Sequence, residues 1–412
     1  MLKEFTTKEK SWILYDIGNS AFTMMVSTLI PIWFNTLAQT AGMDSSDYLA
    51  SWSYATSIAT VIVAFLGPVL GSISDNKGFR KPMFTAVLII GVIGCVLLGV
   101  VPNWMMYLVT YVVAKVAYQS SLVLYDSMIN DVTTLDRIDK VSSLGYAWGY
   151  LGSCPPFIAA LVFYLLGNTG VINEKLSIFL AFLVIAVWWL VVTLPLLKNY
   201  EQKNYVEHAA DKIAGSFKRI GQTLVHMYKE EKKVFYFLLA FFFYIDGVYT
   251  IIDEAVAIGK SLGLDQVGLL VILLLTQVVA FAFSTLFGNL SKKYSSLSLI
   301  SVCIGGYFAV AIFALFMHTL WQFGIMAFIV GMFQGAIQAL SRSYYAALIP
   351  QDASGEYFGL LDICGKGASF MGTMLVGITV CVTNSVNVSV ATLGVLFVIG
   401  FFLLRKSSAI EK

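Results

Sequence analysis

Long apolar stretches dominate this sequence and fix its fold class. Runs rich in Leu, Ile, Val and Phe recur along the whole chain, separated by short polar breaks. A helix needs about 20 mainly apolar residues to cross a bilayer core, where every backbone polar group must be satisfied within the protein. The chain is 58% hydrophobic with a mean hydropathy of +0.80, well above an ordinary soluble domain. We therefore expect an all-α membrane protein.

The apolar runs predict twelve transmembrane helices in two sets of six. The first set lies near residues 12–38, 48–73, 82–101, 104–130, 142–167 and 175–197. The second set lies near residues 233–258, 263–290, 296–317, 320–347, 357–383 and 387–404. This division predicts an N-terminal six-helix bundle over 1–197, a linker over 198–232 and a C-terminal six-helix bundle over 233–412.

The linker is too charged to insert and too long for a simple turn. Apolar residues recur in it at steps of three and four, which predicts an amphipathic helix on the inner membrane face; they are Ile213, Phe217, Ile220, Leu224 and Met227. Both a passive solvated tether and a partner-binding role fit this pattern.

Basic residues set the expected orientation. Most Lys and Arg residues fall on the side of the membrane that holds the N-terminus, while the opposite connections hold only Lys175 and Lys260. Because cytoplasmic loops carry an excess of Lys and Arg, both termini are expected in the cytoplasm.

Composition argues against several classes of function. The net charge is only +2 and the basic residues form no stripe, so we expect no nucleic-acid partner. The five cysteines lie in apolar stretches without metal-ligand spacing, and the three histidines lie outside the middle of the spans. We expect no metal site, no cofactor and no enzymatic activity.

The strongest local motif is GSISDNKGFRK, which follows the second span. It contains Gly71, Asp75, Gly78, Arg80 and Lys81. Gly71 permits close helix approach, Gly78 permits a tight turn, and Asp75 can meet Arg80 or the N-terminal end of a neighbouring helix. This arrangement predicts a conformational latch, although a generic basic loop is the alternative. The motif resembles the signature loop of the major facilitator superfamily.

Other segments resemble a narrower branch, the vacuole-effluxer-like family named for a fungal vacuolar amino-acid exporter. The similar segments are Tyr15 to Phe22, Tyr125 to Ser127, Val141 to Tyr150, Phe243 to Thr250, Gln338 to Ser343, Ile349 to Pro350, Glu356 to Gly359 and Gly365 to Lys366. The resemblance implies two six-helix bundles around a central cavity with alternating access. We expect a monomer that carries a small molecule across the cell membrane, or across a vacuolar membrane in a eukaryote.

Polar residues inside spans are candidate functional residues because charge is costly in a bilayer. Lys115, Tyr118, Gln119 and Asp126 fall roughly on one face of the fourth span. Lys115 is either a counter-ion for an anionic substrate group or half of a buried ion pair. On the first span, Asn19 and Thr23 join them as candidate substrate-binding residues.

The second half supplies a further group. Asp246 in the seventh span is the first candidate for proton coupling, with Asp126 as the second, because a partly dry carboxylate can load and release a proton. Tyr249 extends the same face toward the substrate. Lys366 in the eleventh span is a substrate-binding candidate, or is neutralised by Asp362 one turn earlier.

Four positions near the span ends have different expected roles. Arg342 on the tenth span and Glu356 nearby in sequence are expected to belong to the gate or latch. Asp253 and its neighbour near the outer end of the seventh span are expected to mark the water boundary.

These residues favour a secondary active transporter, coupled to protons, for a small polar or charged organic solute, with amino acids or related metabolites favoured by the resemblance. The alternative is a non-transporting membrane receptor or scaffold built on a transporter fold, with the linker as its output. Charges retained at mid-depth argue against a pure scaffold.

Overall fold

The computed structural model describes residues 4–207, 213–261 and 263–410. Within these ranges, the side chains of 45, 46, 49, 213–220, 256, 257, 260, 261, 266, 267, 270 and 366–370 are outside the description. The described residues form helices and one isolated parallel bridge, between Asn76 and Val206. The predicted all-α class is confirmed.

Eight helices lie in the described part of the first half. They are α1 (Thr7–Ser27), α2 (Leu29–Thr40), α3 (Ser45–Ser74), α4 (Arg80–Leu98), α5 (Trp104–Ser127), the short α6 (Ile129–Val132), α7 (Ile138–Asn168) and α8 (Glu174–Asn199). The first predicted span is therefore two helices, α1 and α2, with a break at Thr28. Pro31 lies one turn further on and cannot donate a backbone hydrogen bond to the preceding turn, which accounts for the break.

The rest of the chain contains the linker helix and the second half. These are α9 (Ile213–Lys229), then α10 (Lys232–Ser261), α11 (Gln266–Leu290), α12 (Ser296–Phe313) with a 3-10 turn (Ala314–Phe316), α13 (Leu320–Leu348), α14 (Ser354–Thr383), α15 (Val386–Thr392) and α16 (Gly394–Ala409). The helix predicted within the linker is present as α9.

Eleven segments of the described chain are long and apolar enough to cross a membrane. The predicted eleventh span coincides with α14, whose apolar part among the described residues is the shorter stretch Met371–Thr383. The count of twelve spans therefore stays a prediction, as does the cytoplasmic location of the termini.

The start of α1 is fixed by a capping box. The Thr6 hydroxyl accepts a hydrogen bond from the Glu9 amide (3.2 Å), and the Glu9 carboxylate accepts one from the Thr6 amide (2.7 Å). Glu9 is 2% exposed and also pairs with Arg137 (2.9 Å). The cap thus ties the first helix to the connection that precedes α7.

The helices pack into two groups that meet along four contacts. In the first half α1 packs on α7 and α8, and α4 on α5 and α8; in the second half α10 packs on α14 and α16, and α13 on α11 and α12. Between the groups, α3 packs on α14, α7 on α11 and α13, and α5 on α14. These contacts position the candidate site between the halves.

Candidate functional site

The end of the bundle from which residues 198–232 emerge is called the linker side here, and the opposite end the far side. On the linker side, α3 and α14 cross with their backbones in direct contact. A Cβ built on Gly71 would lie 2.6 Å from the carbonyl carbon of Gly355, which is closer than real Cβ atoms come. Glycine at both positions allows this crossing.

Asp75 lies directly beneath the crossing and is 1% exposed. Its carboxylate accepts hydrogen bonds from the Gly355 amide (2.7 Å) and the Glu356 amide (2.9 Å) at the start of α14, and pairs with Arg80 (2.5 Å). Burial raises the pKa of the Asp75 carboxyl to about 6, against the opposing effects of Arg80 and the two amides. Both contacts considered for Asp75 from the sequence are present together.

Arg80 connects this carboxylate to a second one. Its guanidinium is fully buried and donates to Asp131 (2.8 Å) as well as to the Ser127 carbonyl (3.3 Å). Asp131 is itself 0% exposed and lies in α6, just after α5. One arginine is therefore held between two buried carboxylates from different parts of the first half, which fixes its position.

The other two motif residues support the turn. Gly78 has φ +79°, a left-handed conformation that side chains rarely adopt, as the predicted tight turn requires. Lys81 donates to the carbonyl of Tyr200 in the linker (3.4 Å).

A second cluster joins the halves around Arg342, at a level deeper than the latch. The guanidinium reaches from α13 into the first half, where it pairs with Asp126 (2.9 Å) and Asp16 (3.3 Å). It also donates to the hydroxyl (3.0 Å) and carbonyl (3.1 Å) of Ser142. Arg342 is 4% exposed, so its charge depends on these partners.

Aromatic rings complete the surroundings of Arg342. Its guanidinium carbon lies 4.4 Å from the Tyr146 ring centroid and 4.5 Å from that of Trp12, with Tyr125 at 5.6 Å. These are cation–π distances, and a planar guanidinium suits them better than an ammonium would. Arg342 is separate from Glu356, which lies at the latch.

Hydroxyl and carbonyl groups make further bridges between the halves on the linker side. They are Ser142 to the Ala339 carbonyl (2.7 Å), Asn130 to the Ala346 carbonyl (3.3 Å), Ser354 to the Ser127 carbonyl (3.2 Å), Asp139 to Ser296 (2.6 Å) and Asp139 to Ser343. The linker side is closed by direct contact.

Lys115 and Asp253 lie on helices of different halves, α5 and α10. Lys115 on α5 is half-buried, with its ammonium 5.6 Å from the Tyr111 ring centroid, and Asp253 on α10 is exposed. The two are close enough for their charges to interact. Asp253 is exposed, as a residue at a water boundary would be, but its proximity to Lys115 does not follow from sequence spacing.

Polar side chains meet between α1 and α5. Thr23 and Tyr118 share a hydrogen bond between their hydroxyls (2.5 Å). Asn19 is 3% exposed and donates to the Tyr15 carbonyl (3.0 Å), while the side-chain oxygen of Gln119 is buried without a partner among the described residues. Gln119 thus retains hydrogen-bonding capacity.

Asp246 lies within the second half, between α10 and α14, and is 0% exposed. One carboxylate oxygen accepts from the Gly372 amide (2.8 Å) and the Thr250 hydroxyl (3.4 Å). The other oxygen is buried with no hydrogen-bond partner among the described residues. Such a carboxyl is expensive to hold in charged form without a further partner.

The remaining candidates divide between described and undescribed residues. Tyr249 lies close enough to Asp126 of the first half and Asp362 of the second for electrostatic interaction, and its contact with a solute stays a prediction. The side chain of Lys366 lies outside the described residues, and its pairing with Asp362 is not tested.

Sequence reasoning missed some of these partners. Asp16 and Asp131 have central roles in the two clusters, and Asp139 bridges the halves, but the sequence patterns assign none of the three a partner. A charged residue in a span, as at Asp16, was a usable signal. Asp131 follows a predicted span end, where acidic residues are common, and gave none.

Comparison with known proteins places the chain in a family. The model of the family described as "Vacuole effluxer Atg22 like" matches residues 6–132 and 130–410. The chain belongs to this family. Among vacuole effluxer-like relatives, the uncharacterized MFS-type transporter YxiO of Bacillus subtilis is 38% identical over 98% of this chain and 95% of its own length. Autophagy-related protein 22 of Yarrowia lipolytica is 26% identical over 64% of this chain and 50% of its own length.

Solved structures show the same fold. The human organic anion transporter MFSD10 has a TM-score of 0.74 at 12% identity, covering 97% of this chain and 98% of its own. The transporter FucP in its outward conformation has a TM-score of 0.71 at 14% identity, covering 99% of each chain. This vacuole effluxer-like chain is therefore a multi-pass membrane protein with the all-helical fold of the major facilitator superfamily.

Proposed function

We propose that this chain is a proton-coupled secondary transporter that moves a small polar or charged organic solute by alternating access, with amino acids and related metabolites favoured. The family description as vacuole effluxers supports transport. Two proteins of similar fold are a fucose:proton symporter and a proton:xylose symporter, which makes proton coupling a reasonable expectation on this fold. The linker side would face the cytoplasm.

The pair Lys115 and Asp253 is the observation that carries the proposed solute site. Opposite charges from the two halves lie close enough to interact; Lys115 is half-buried and Asp253 is exposed. A solute carrying both charges would bind its anionic group at Lys115 and its cationic group at Asp253, and would thereby join the halves. The nearby Thr23, Tyr118 and Gln119 supply the hydrogen bonds that orient such a solute.

The closed linker side supports a gate in two layers. The outer layer is the latch of Gly71, Asp75, Gly78, Arg80, Lys81 and Glu356, and the inner layer is Arg342 with its carboxylates. In the closed conformation the solute would enter from the far side. Opening would separate α3 from α14 and withdraw Arg342 from the first half.

Proton coupling is proposed at two carboxyl groups. Asp246 has a buried oxygen that a proton would allow to act as a donor. Asp126 would lose its partner Arg342 when the linker side opens, so a proton would replace the guanidinium there. Each group would then change partners once in the transport cycle.

A thermal-shift screen of the purified protein tests the solute site. Amino acids, peptides, organic acids, sugars and polyamines are compared on the unsubstituted protein, Lys115→Ala and Asp253→Asn. A ligand at one hundred times its dissociation constant stabilises the folded state by about 2.7 kcal/mol. We expect an amino acid or related metabolite to raise Tm, and both substitutions to remove the rise.

Lys175→Ala is the matched control, because Lys175 is exposed at the far-side start of α8. It removes one lysine charge without touching the proposed site, so the ligand-induced rise in Tm should persist. A rise that survives both Lys115→Ala and Asp253→Asn would place the site elsewhere.

A further inference from the structure

The linker is bonded to the latch turn as closely as a strand is to its neighbour. The Val206 amide donates to the Asp75 carbonyl (2.8 Å). The Gln202 side chain accepts from the Gly78 amide (3.0 Å) and donates to the Ser74 carbonyl (3.0 Å). Residues 200–206, called the linker strap here, therefore lie directly along the turn between α3 and α4.

The linker strap also surrounds Asp131. This carboxylate accepts from the Tyr200 hydroxyl (2.5 Å), the Lys203 amide (3.1 Å), and the amide (2.8 Å) and side chain (3.0 Å) of Asn204. Arg80 supplies its remaining bond. Without the strap, a fully buried carboxylate would keep only the arginine, which is a costly arrangement.

The strap therefore fixes the position of the latch through three charged side chains in contact with one another. The strap fixes Asp131, Asp131 fixes one side of Arg80, and the other side of Arg80 holds Asp75. Asp75 in turn accepts the amides at the start of α14. A shift of the strap would displace the group that holds the second half.

The C-terminal part of the linker, α9 and the residues just after it, contacts the second half next to the latch. On α9 the Thr223 hydroxyl donates to the Glu356 carboxylate, and just after α9 Glu231 accepts from the Tyr357 hydroxyl (2.7 Å). Both partners are on the first turn of α14, next to the amides bound by Asp75. The described residues before 208 and after 212 thus contact the two sides of the closed latch.

We infer that the linker is a working part of the gate: the linker strap and α9 together stabilise the conformation that is closed on the linker side, with Gln202 and Asn204 as positioning residues for the latch. The inference rests on the proposed alternating access, because it requires a second conformation in which the latch is open. Loosening the strap should shift the protein toward that conformation.

The test measures access to a contact that the linker does not touch. Ser143 is buried on α7 against Gly288 of α11, so Ser143→Cys reports opening of the linker side. Its modification by a bulky maleimide is followed residue by residue with mass spectrometry, in the full-length protein in lipid nanodiscs. We expect Gln202→Ala with Asn204→Ala to speed this modification at least tenfold, and Thr223→Val to speed it to a smaller extent.

Lys203→Ala is the control, because the exposed Lys203 side chain is replaced while its backbone amide to Asp131 remains. It should leave the rate unchanged. Equal rates in the control, the double variant and Thr223→Val would overturn the inference. If the double variant fails to fold, Thr223→Val decides, because it deletes a single hydroxyl.

The measurement needs no solute, so it is independent of the thermal-shift screen. A faster reaction in the strap variants without any ligand hit would support the gate while leaving the proposed solute site unsupported. Ligand hits with unchanged modification rates would support the proposed solute site and overturn the role of the linker in the gate. A purely structural strap would lower Tm in the double variant without changing the modification rate at temperatures where the protein is folded, which would also overturn the inference.

Discussion

Gly71→Ala should open the linker side of this protein. The added Cβ would lie 2.6 Å from the Gly355 carbonyl carbon, whereas ordinary contact begins at 3.4 Å. Both partners are backbone, so no side chain can rotate to make room. The Gly355 carbonyl oxygen would lie closer still, so the helices α3 and α14 must separate by at least 0.8 Å, the difference between those two distances.

That displacement is enough to break the latch. The amides of Gly355 and Glu356 lie 2.7 and 2.9 Å from the Asp75 carboxylate, and 0.8 Å more gives about 3.5 and 3.7 Å, beyond the normal range. Hydrogen bonds to charged groups contribute about 1.5 to 3 kcal/mol each, so losing both weakens the closed conformation by about 3 kcal/mol or more. Separation of α3 from α14 would relieve this clash in an open conformation, so a loss of about 3 kcal/mol from the closed conformation shifts the equilibrium by about 100-fold.

The assay is modification of Ser143→Cys by maleimide in lipid nanodiscs, with and without Gly71→Ala. Gly377→Ala is the matched control, because it lies on α14 and a Cβ there meets nothing within 4 Å. We expect a large rate increase for Gly71→Ala and none for Gly377→Ala. If Gly71→Ala folds with an unchanged rate, the crossing does not control the gate and the reasoning fails.

Three further outcomes are expected. Arg342→Met leaves Asp16 and Asp126 without their cation and should lower the free energy of unfolding by about 3 to 5 kcal/mol, measured by denaturation; a loss below 1 kcal/mol would contradict it. Asp246→Asn should leave solute exchange in proteoliposomes intact and abolish accumulation driven by a pH gradient; accumulation at the original level would exclude Asp246 from coupling. Thr6→Ala should cost about 1 kcal/mol of stability through the lost cap, with no change in Ser143→Cys modification; a faster modification would mean that the cap also holds the gate.

The helices could be read from the sequence because membrane burial imposes a long apolar run on each of them. Breaks within the predicted spans could not be read in the same way. Pro31 splits the first span into α1 and α2, and α5 ends at Ser127, before the short α6. Apolar content does not register such breaks, because the residues on both sides of them are equally hydrophobic.

The parts of the site formed by residues near one another in sequence were predictable. The parts formed by residues far apart in sequence were not. Gly71, Asp75 and Arg80 lie within ten residues, so their spacing alone suggested the latch. The pairing of Arg342 with Asp16 joins residues 326 positions apart, and sequence spacing holds no information about it. One charge in a span says that a partner or cavity exists, without saying which.

The polar bridges between the halves have a consequence for energy. Individual hydrogen bonds to backbone carbonyls join the two halves, and their donors are the side chains of Ser142, Asn130 and Ser354. When the two surfaces separate, water supplies equivalent hydrogen bonds to each group. The free-energy cost of separation is therefore lower than for an apolar interface. A polar interface of this kind can exclude water in one conformation and be hydrated in another with little difference in free energy. A protein that must return to its first conformation in every cycle requires such a balance.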